Sequence, residues 1–250
     1  MEGPALRVVN YHSVPERFVE QFRRQLAHVA RSHRIAAASE LPQLIAGVSE
    51  PTLVMCFDDG LKSTIVHGAR VVEEVGGRAV FAIPAAWPDV PRAQQASWFR
   101  EHVYPVPTEL HDRPGDVAAA SWDELRDLVR REHAIWSHGF DHRQLTTGLA
   151  ADVLEREIRA SRAVLEEQLG TQVPGYCPPV SYDVAAPEAE RLIAETYELA
   201  FGGAQSRVVT PDPLHIPRIN LEASWPLDVV DFQLTRAGDL TSRLAARARR

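Results

Sequence analysis

The stretch "PTLVMCFDDG", residues 51–60, decides the fold. Residues 52–57 form an apolar run of strand length, bounded by Pro51 on one side and Gly60 on the other. The run then sets two carboxylates side by side, Asp58 and Asp59. They repel each other, and at a strand end both cannot be buried without partners. A turn, or a cap on the next helix, needs only one Asp beside Gly. The second carboxylate points to a positive group at the end of this strand.

Working outward, short apolar runs alternate with helical periodicity. "ALRVVNYH" (5–12), "RAVFAIP" (78–84), "HAIWS" (133–137), "VPGYC" (173–177), a segment near 198–202 and "LHIPRINL" (214–221) read as strands. Between them, Phe18, Phe22, Leu26 and Val29 share one helical face, and Ile65, Ala69 and Val72 mark a helix closed by Gly76 and Gly77. Ser121 and Glu124 form a capping box ahead of Leu125, Leu128 and Val129. Leu154, Ile158, Ser161, Leu165 and Leu169 define a long helix stopped by Gly170, and another helix opens at Pro187. This β-α alternation implies a mostly parallel sheet wrapped by helices, either a barrel or an open doubly wound sheet. In both, chemistry collects at the carboxyl ends of the strands. Residues 85–118, with Trp87, Trp98 and five prolines but no clear periodicity, read as a loop insertion on one rim.

The length, 250 residues with 45% hydrophobic and 24% charged, suits one large globular domain. A net charge of −7 argues against nucleic acid or an anionic membrane surface as the main partner. The arginine-rich end (Arg243, Arg247, Arg249, Arg250) reads as a solvated helix end. Two cysteines are too few for a disulfide framework, and both read as buried neutral thiols. A sharper reading makes Cys177 a further metal ligand or a nucleophile. Residues 1–25 carry charges throughout, and no window approaches the roughly 18 apolar residues needed to span a bilayer. A cytoplasmic protein is expected.

"SHGFDH" (137–142) places His138 and His142 directly after a strand, on the same rim as Asp59. Two histidines four apart can bind one metal from a tight loop. With Asp59 they make a two-histidine, one-carboxylate set suited to Zn²⁺ or another divalent transition metal, with positions left open for water and substrate. Non-haem iron oxygenases use the same donors, but with the carboxylate close to the first histidine in sequence and on an all-β fold.

"FDDG", "SHGFDH" and "YCPPVS" resemble, in order, three motifs of the polysaccharide deacetylases (carbohydrate esterase family four), from about residue 8 to 221. The resemblance implies a distorted (β/α) barrel in a single domain that removes acetyl groups from N-acetylated sugars. It implies one divalent cation held by Asp59, His138 and His142, with Zn²⁺ first and Co, Ni or Fe as alternatives. Asp58 is then the general base, and a backbone N–H near Val180 helps to hold the oxyanion. "VVNYHSV" (8–14) resembles the circularly permuted branch that acts on β-1,6-linked N-acetylglucosamine polymers, which makes His12 the general acid; His215 in "PLHIPR" is the alternative. Tyr11, Cys177, Pro179, Val180 and Trp87 are candidate substrate contacts, with Trp98 and Trp136 as further stacking surfaces.

Two departures stand out. The family commonly has arginine where this chain has Cys177, paired with the catalytic aspartate; without that cation Asp58 should be less acidic and less firmly oriented. Ser181 replaces the glycine that closes the third motif. The expected substrate is a soluble N-acetylated amino-sugar derivative: a nucleotide sugar, a glycolipid head group or a biosynthetic intermediate. A formamide or other non-sugar amide is the alternative, as is a sugar-binding module without turnover.

Overall fold

The 52–57 run forms β3 (Thr52–Phe57), buried along its whole length. In a computed structural model, which describes residues 4–103, 117–180, 184, 186–202 and 206–241, this strand lies inside an eight-stranded sheet. On one side β3 pairs with β1 (Leu6–Tyr11), in register from Leu6↔Thr52 to Tyr11↔Phe57, and β1 pairs with β8 (Arg218–Asn220). On the other side follow β4 (Val80–Ile83), β5 (Ala134–Ser137), β6 (Gly175–Tyr176) and β7 (Leu199–Ala200). Every pairing is parallel. A parallel bridge between Phe201 and Ile216 joins the two far ends, so the sheet curls into a distorted barrel. The remaining strand, β2 (Arg34–Ala36), pairs with the first half of β3, while β4 takes the second half.

Alternation along the strands sorts the side chains into two layers. Val8, Val54, Cys56, Val80, Ala82, Trp136, Cys177, Phe201 and Ile216 form one buried cluster, the filled barrel interior. Gly175 lets Trp136 in: a Cβ there would meet the indole at 2.1 Å. The opposite faces (Val9, Tyr11, Leu53, Met55, Phe57, Phe81, Ile135) pack against the helices. Fully burying such a side chain is worth about 1.5–3 kcal/mol.

The helices follow their apolar faces. Phe22, Leu26 and Val29 are the buried face of α1 (Val19–Val29). After it, α2 (Leu41–Ala46) contributes Leu41 and Ile45 to the interior cluster. A π-helical turn at 64–68 leads into α3 (Ala69–Glu74). The segment expected to lack periodicity holds a helix, α4 (Gln95–His102). Its Phe99 joins Leu61, Trp87, Val103 and Ala119 in a small core, and the prolines before it masked so short a periodicity. Residues 104–116 of that segment, Ser181 and the arginine-rich end lie outside the described residues.

Beyond the insertion, α5 (Trp122–Arg130) opens on the expected capping box: Glu124 N–H donates to Ser121 Oγ at 3.3 Å, and the Glu124 carboxylate accepts from Ser121 N–H at 2.9 Å. The long helix is α6 (Ala151–Glu155), a π-helical turn at 156–160, and α7 (Ser161–Leu169), ended by Gly170 in the left-handed region. Pro187 opens α8 (Pro187–Thr196). Among the described residues no helix is long and apolar enough to cross a membrane.

Candidate metal centre and its catalytic neighbours

The carboxyl ends of β1, β3, β5 and β6 bring together the residues that the sequence singled out. Asp59 takes a left-handed backbone (φ 68), as does Gly60 after it (φ 61), so the chain turns sharply at the rim. Asp59 Oδ1 then stands 3.4 Å from His138 Nε2 and 3.2 Å from His142 Nε2. All three side chains are buried, and their ligand atoms lie within 4.8 Å of one another.

The hydrogen bonds behind these atoms decide what belongs between them. His138 Nδ1–H donates to the Cys177 carbonyl at 2.7 Å, and His142 Nδ1–H to the His102 carbonyl at 2.7 Å. A carbonyl oxygen only accepts, so both protons sit on Nδ1, and each neutral imidazole presents Nε2 as a bare acceptor. Two acceptor nitrogens thus converge on a carboxylate. The other carboxylate oxygen, Asp59 Oδ2, is buried and has no hydrogen-bond partner among the described residues. Two imidazole nitrogens and a carboxylate oxygen aimed at one place, with both imidazoles fixed from behind, make a donor set for a divalent cation.

Next to this trio, Asp58 turns into the barrel and meets a buried arginine. Arg218, from β8, donates from Nη1 to Asp58 Oδ1 at 2.7 Å and to Oδ2 at 2.8 Å. Its guanidinium also lies over the Phe201 ring, 4.7 Å from the centroid. Asn10 Nδ2 donates to Asp58 Oδ2 at 2.9 Å. The Cys56 and Cys177 thiols both donate weakly to Oδ1, each at 3.5 Å. Burial pushes the Asp58 carboxyl up, yet the Arg218 guanidinium pulls it down to about 2. The expectation of a less acidic, loosely held Asp58 is therefore wrong. The cation missing at position 177 comes from position 218, across the barrel.

Cys177 is fully buried, and desolvation pushes its thiol up against the pull of Arg218. It can be grouped with Asp58 and His138 as a donor set. The guanidinium already occupies that carboxylate, so the geometry favours the neutral thiol over a ligand or nucleophile. Cys56 behaves in the same way.

The two candidate acids sit in different surroundings. His12 Nε2 stands 3.8 Å from Asp58 Oδ2 and 3.4 Å from Asn10 Nδ2, with its side chain partly open to solvent. His215 is exposed, bonds to Asp212 at 3.0 Å, and lines a cavity of about 370 Å³ between α8 and the ends of β7.

Three aromatic candidates are corrected. Trp87 is fully buried, stacked on Trp98 at 4.7 Å and tilted against Phe99, so it offers no face to a sugar. Trp136 fills the barrel, stacked on Phe201 at 4.3 Å. Tyr11 is 1% exposed, with its hydroxyl bonded to Gln25. Pro179 is buried. Val180 is exposed at the rim with φ 64, an unusual backbone for a β-branched residue and a mark of local strain.

The sequence profile described as Polysaccharide deacetylase matches residues 46–196, which include Asp58, Asp59, His138, His142 and Cys177. The chain belongs to the polysaccharide deacetylase family. That family comprises hydrolytic deacetylases of N-acetylated sugars that use a divalent metal. No curated protein matches the chain. Solved structures share its fold. The Streptococcus pyogenes deacetylase PplD, determined with acetate, has a TM-score of 0.70 at 12% identity over 94% of this chain and 100% of its own. IcaB from Ammonifex degensii has a TM-score of 0.70 at 18% identity, covering 92% of this chain and 97% of its own. The BpsB deacetylase domain of Bordetella bronchiseptica has a TM-score of 0.63 at 15% identity, covering 88% and 97%. His12 and Arg218 both lie outside the segment that carries the family match.

Sequence reading missed Arg218, Asn10, His102 and Glu157. The first left a trace: a charged residue inside the apolar strand "LHIPRINL" needs a buried partner. Glu157 sat unremarked among the charges of a helix, and it bonds the backbone of the "SHGFDH" loop.

Proposed function

We propose that the protein is a metal-dependent amide hydrolase that removes an N-acetyl group from an amino-sugar substrate. The observation that carries this reading is the convergence of His138 Nε2, His142 Nε2 and the buried carboxylate of Asp59, beside an Asp58 held by Arg218. Asp59, His138 and His142 would hold the ion, Zn²⁺ first on the strength of a two-imidazole, one-carboxylate set. A divalent cation there supplies Lewis acidity, making water more acidic and the acyl carbonyl more electrophilic.

The chain's own residues supply the rest. Asp58, its carboxylate held in place by Arg218 and Asn10, accepts the proton of the attacking water. His12, on the Oδ2 side, protonates the departing amine, a very poor leaving group otherwise. The backbone at Val180 offers an N–H at the rim for the oxyanion. A binding module without turnover loses its main support, because the cation absent at 177 is present at 218.

The test is a metal-replete screen over N-acetylated sugars, nucleotide sugars, oligomeric N-acetylglucosamine and aminoglycoside-like intermediates. Product mass and released acetate are read against formate. Acetate with a free amine supports the reading; formate from a formamide replaces it with the non-sugar alternative; no product with any acylated amine overturns it. With an active substrate in hand, His12→Ala is expected to lower kcat by about 10²-fold or more with the metal retained, and His215→Ala to leave kcat near the wild type. The reverse pattern moves the acid to His215.

A further inference from the structure

The loop that carries His142 is awkward to build. Gly139 (φ 78) and His142 (φ 58) both adopt left-handed backbone within four residues. Such a stretch persists only where its surroundings over-determine it. One side chain does so. Glu157 is 1% exposed, and its carboxylate accepts from three successive parts of the loop: Phe140 N–H at 2.9 Å, Asp141 N–H at 3.1 Å and Arg143 N–H at 3.3 Å. It bonds the amides on both sides of His142. Glu157 lies in the π-helical turn at 156–160, and such turns recur at functional sites. The neighbouring Arg156 grips the same loop from the solvent side, bonding Asp141 at 2.7 Å and lying 3.7 Å over the Phe140 ring.

We propose that Glu157 is a positioning residue for the metal centre: its carboxylate gathers the loop amides and so fixes where His142 Nε2 stands relative to Asp59. The inference rests on the metal reading above. An anion among convergent backbone N–H groups is the arrangement that orders a turn most firmly. A glutamine presents an N–H₂ group to amides that need an acceptor, so the loop loses at least one bond and gains a clash of donors. Gly139 belongs to the same device. A Cβ at that position would stand 2.5 Å from Glu157 Oε2.

The experiment measures Zn²⁺ affinity of the full chain by competition with a chromophoric chelator, without substrate. Glu157→Gln is expected to weaken binding by about 10–100-fold, the usual effect of losing a group behind a metal ligand, and Glu157→Asp by less. Glu73→Gln is the control: it removes a carboxylate bonded to His133 at 2.8 Å and Arg131 at 2.8 Å, away from the loop. It should lower stability and leave the Zn²⁺ affinity alone. If Glu157→Gln does not fold, Gly139→Ala is measured in its place, with the same loss expected. A Zn²⁺ affinity within about twofold of the wild type in whichever variant is measured overturns the proposal. A wild type that takes up no Zn²⁺ overturns the metal reading itself, so the two failures are distinguishable.

Discussion

Asp59→Ala is expected to abolish uptake of a divalent cation, while Asp58→Asn keeps the cation and lowers kcat by about 10²–10⁴-fold. The neighbours differ because the left-handed turn at Asp59 sends the two carboxylates to different partners. Asp59 faces two bare imidazole nitrogens, and removing it leaves a neutral pair with no anion to balance a dication. Asp58 faces Arg218 and Asn10, and an amide in its place keeps the shape but cannot take up a proton at neutral pH. Metal content after dialysis and kcat on the same preparations separate the two roles. Stoichiometric zinc in Asp59→Ala would move the ion to the Asp58, His138 and Cys177 group. Unchanged kcat in Asp58→Asn would remove the base.

Arg218→Leu should cost about 3–5 kcal/mol of stability at neutral pH, because it strands a carboxylate in the barrel. The pH dependence carries the signature. In the wild type Asp58 titrates at about 2 against an ordinary 3.8. A depressed carboxylate contributes stability that is complete above the unfolded pKa and is lost as pH falls through the folded one, here between about pH 4 and pH 2, a window worth ~2 kcal/mol. Without the guanidinium, burial dominates and raises the carboxyl. The variant is then penalised at neutral pH and relieved as acid neutralises Asp58. Denaturant unfolding of the two metal-free proteins should give a gap that is widest near neutral pH, begins to narrow as the variant's raised carboxyl is neutralised, and goes on narrowing to about pH 2. A gap that stays constant with pH would mean that the lost stability comes from packing on Phe201 instead.

The clustering of Asp59, His138 and His142 was legible because their motifs sit at the ends of apolar runs, and parallel βα units put all such ends on one rim. The fold was legible for the same reason, down to the capping box at Ser121 and the stop at Gly170. What escaped reading had no local mark. The pairing of Asp58 with Arg218 spans 160 positions and depends on β1 lying between β3 and β8, which no periodicity encodes. The departure at Cys177 was visible, but its compensation lay on another strand. Trp87 and Tyr11 illustrate a different limit. An aromatic near a motif reads equally as core or contact, and only the packed neighbours around it decide. Three-residue β2 and the eight residues of α4 were too short to show a period.

The closing of the barrel by β8 puts synthesis and competence in a fixed order. Asp59, His138 and His142, the proposed ion ligands, all precede residue 143, whereas the guanidinium that holds Asp58 is added only with β8. A nascent chain still short of residue 218 carries Asp59, His138 and His142 and the Asn10 amide that bonds Asp58, but not the guanidinium that neutralises Asp58.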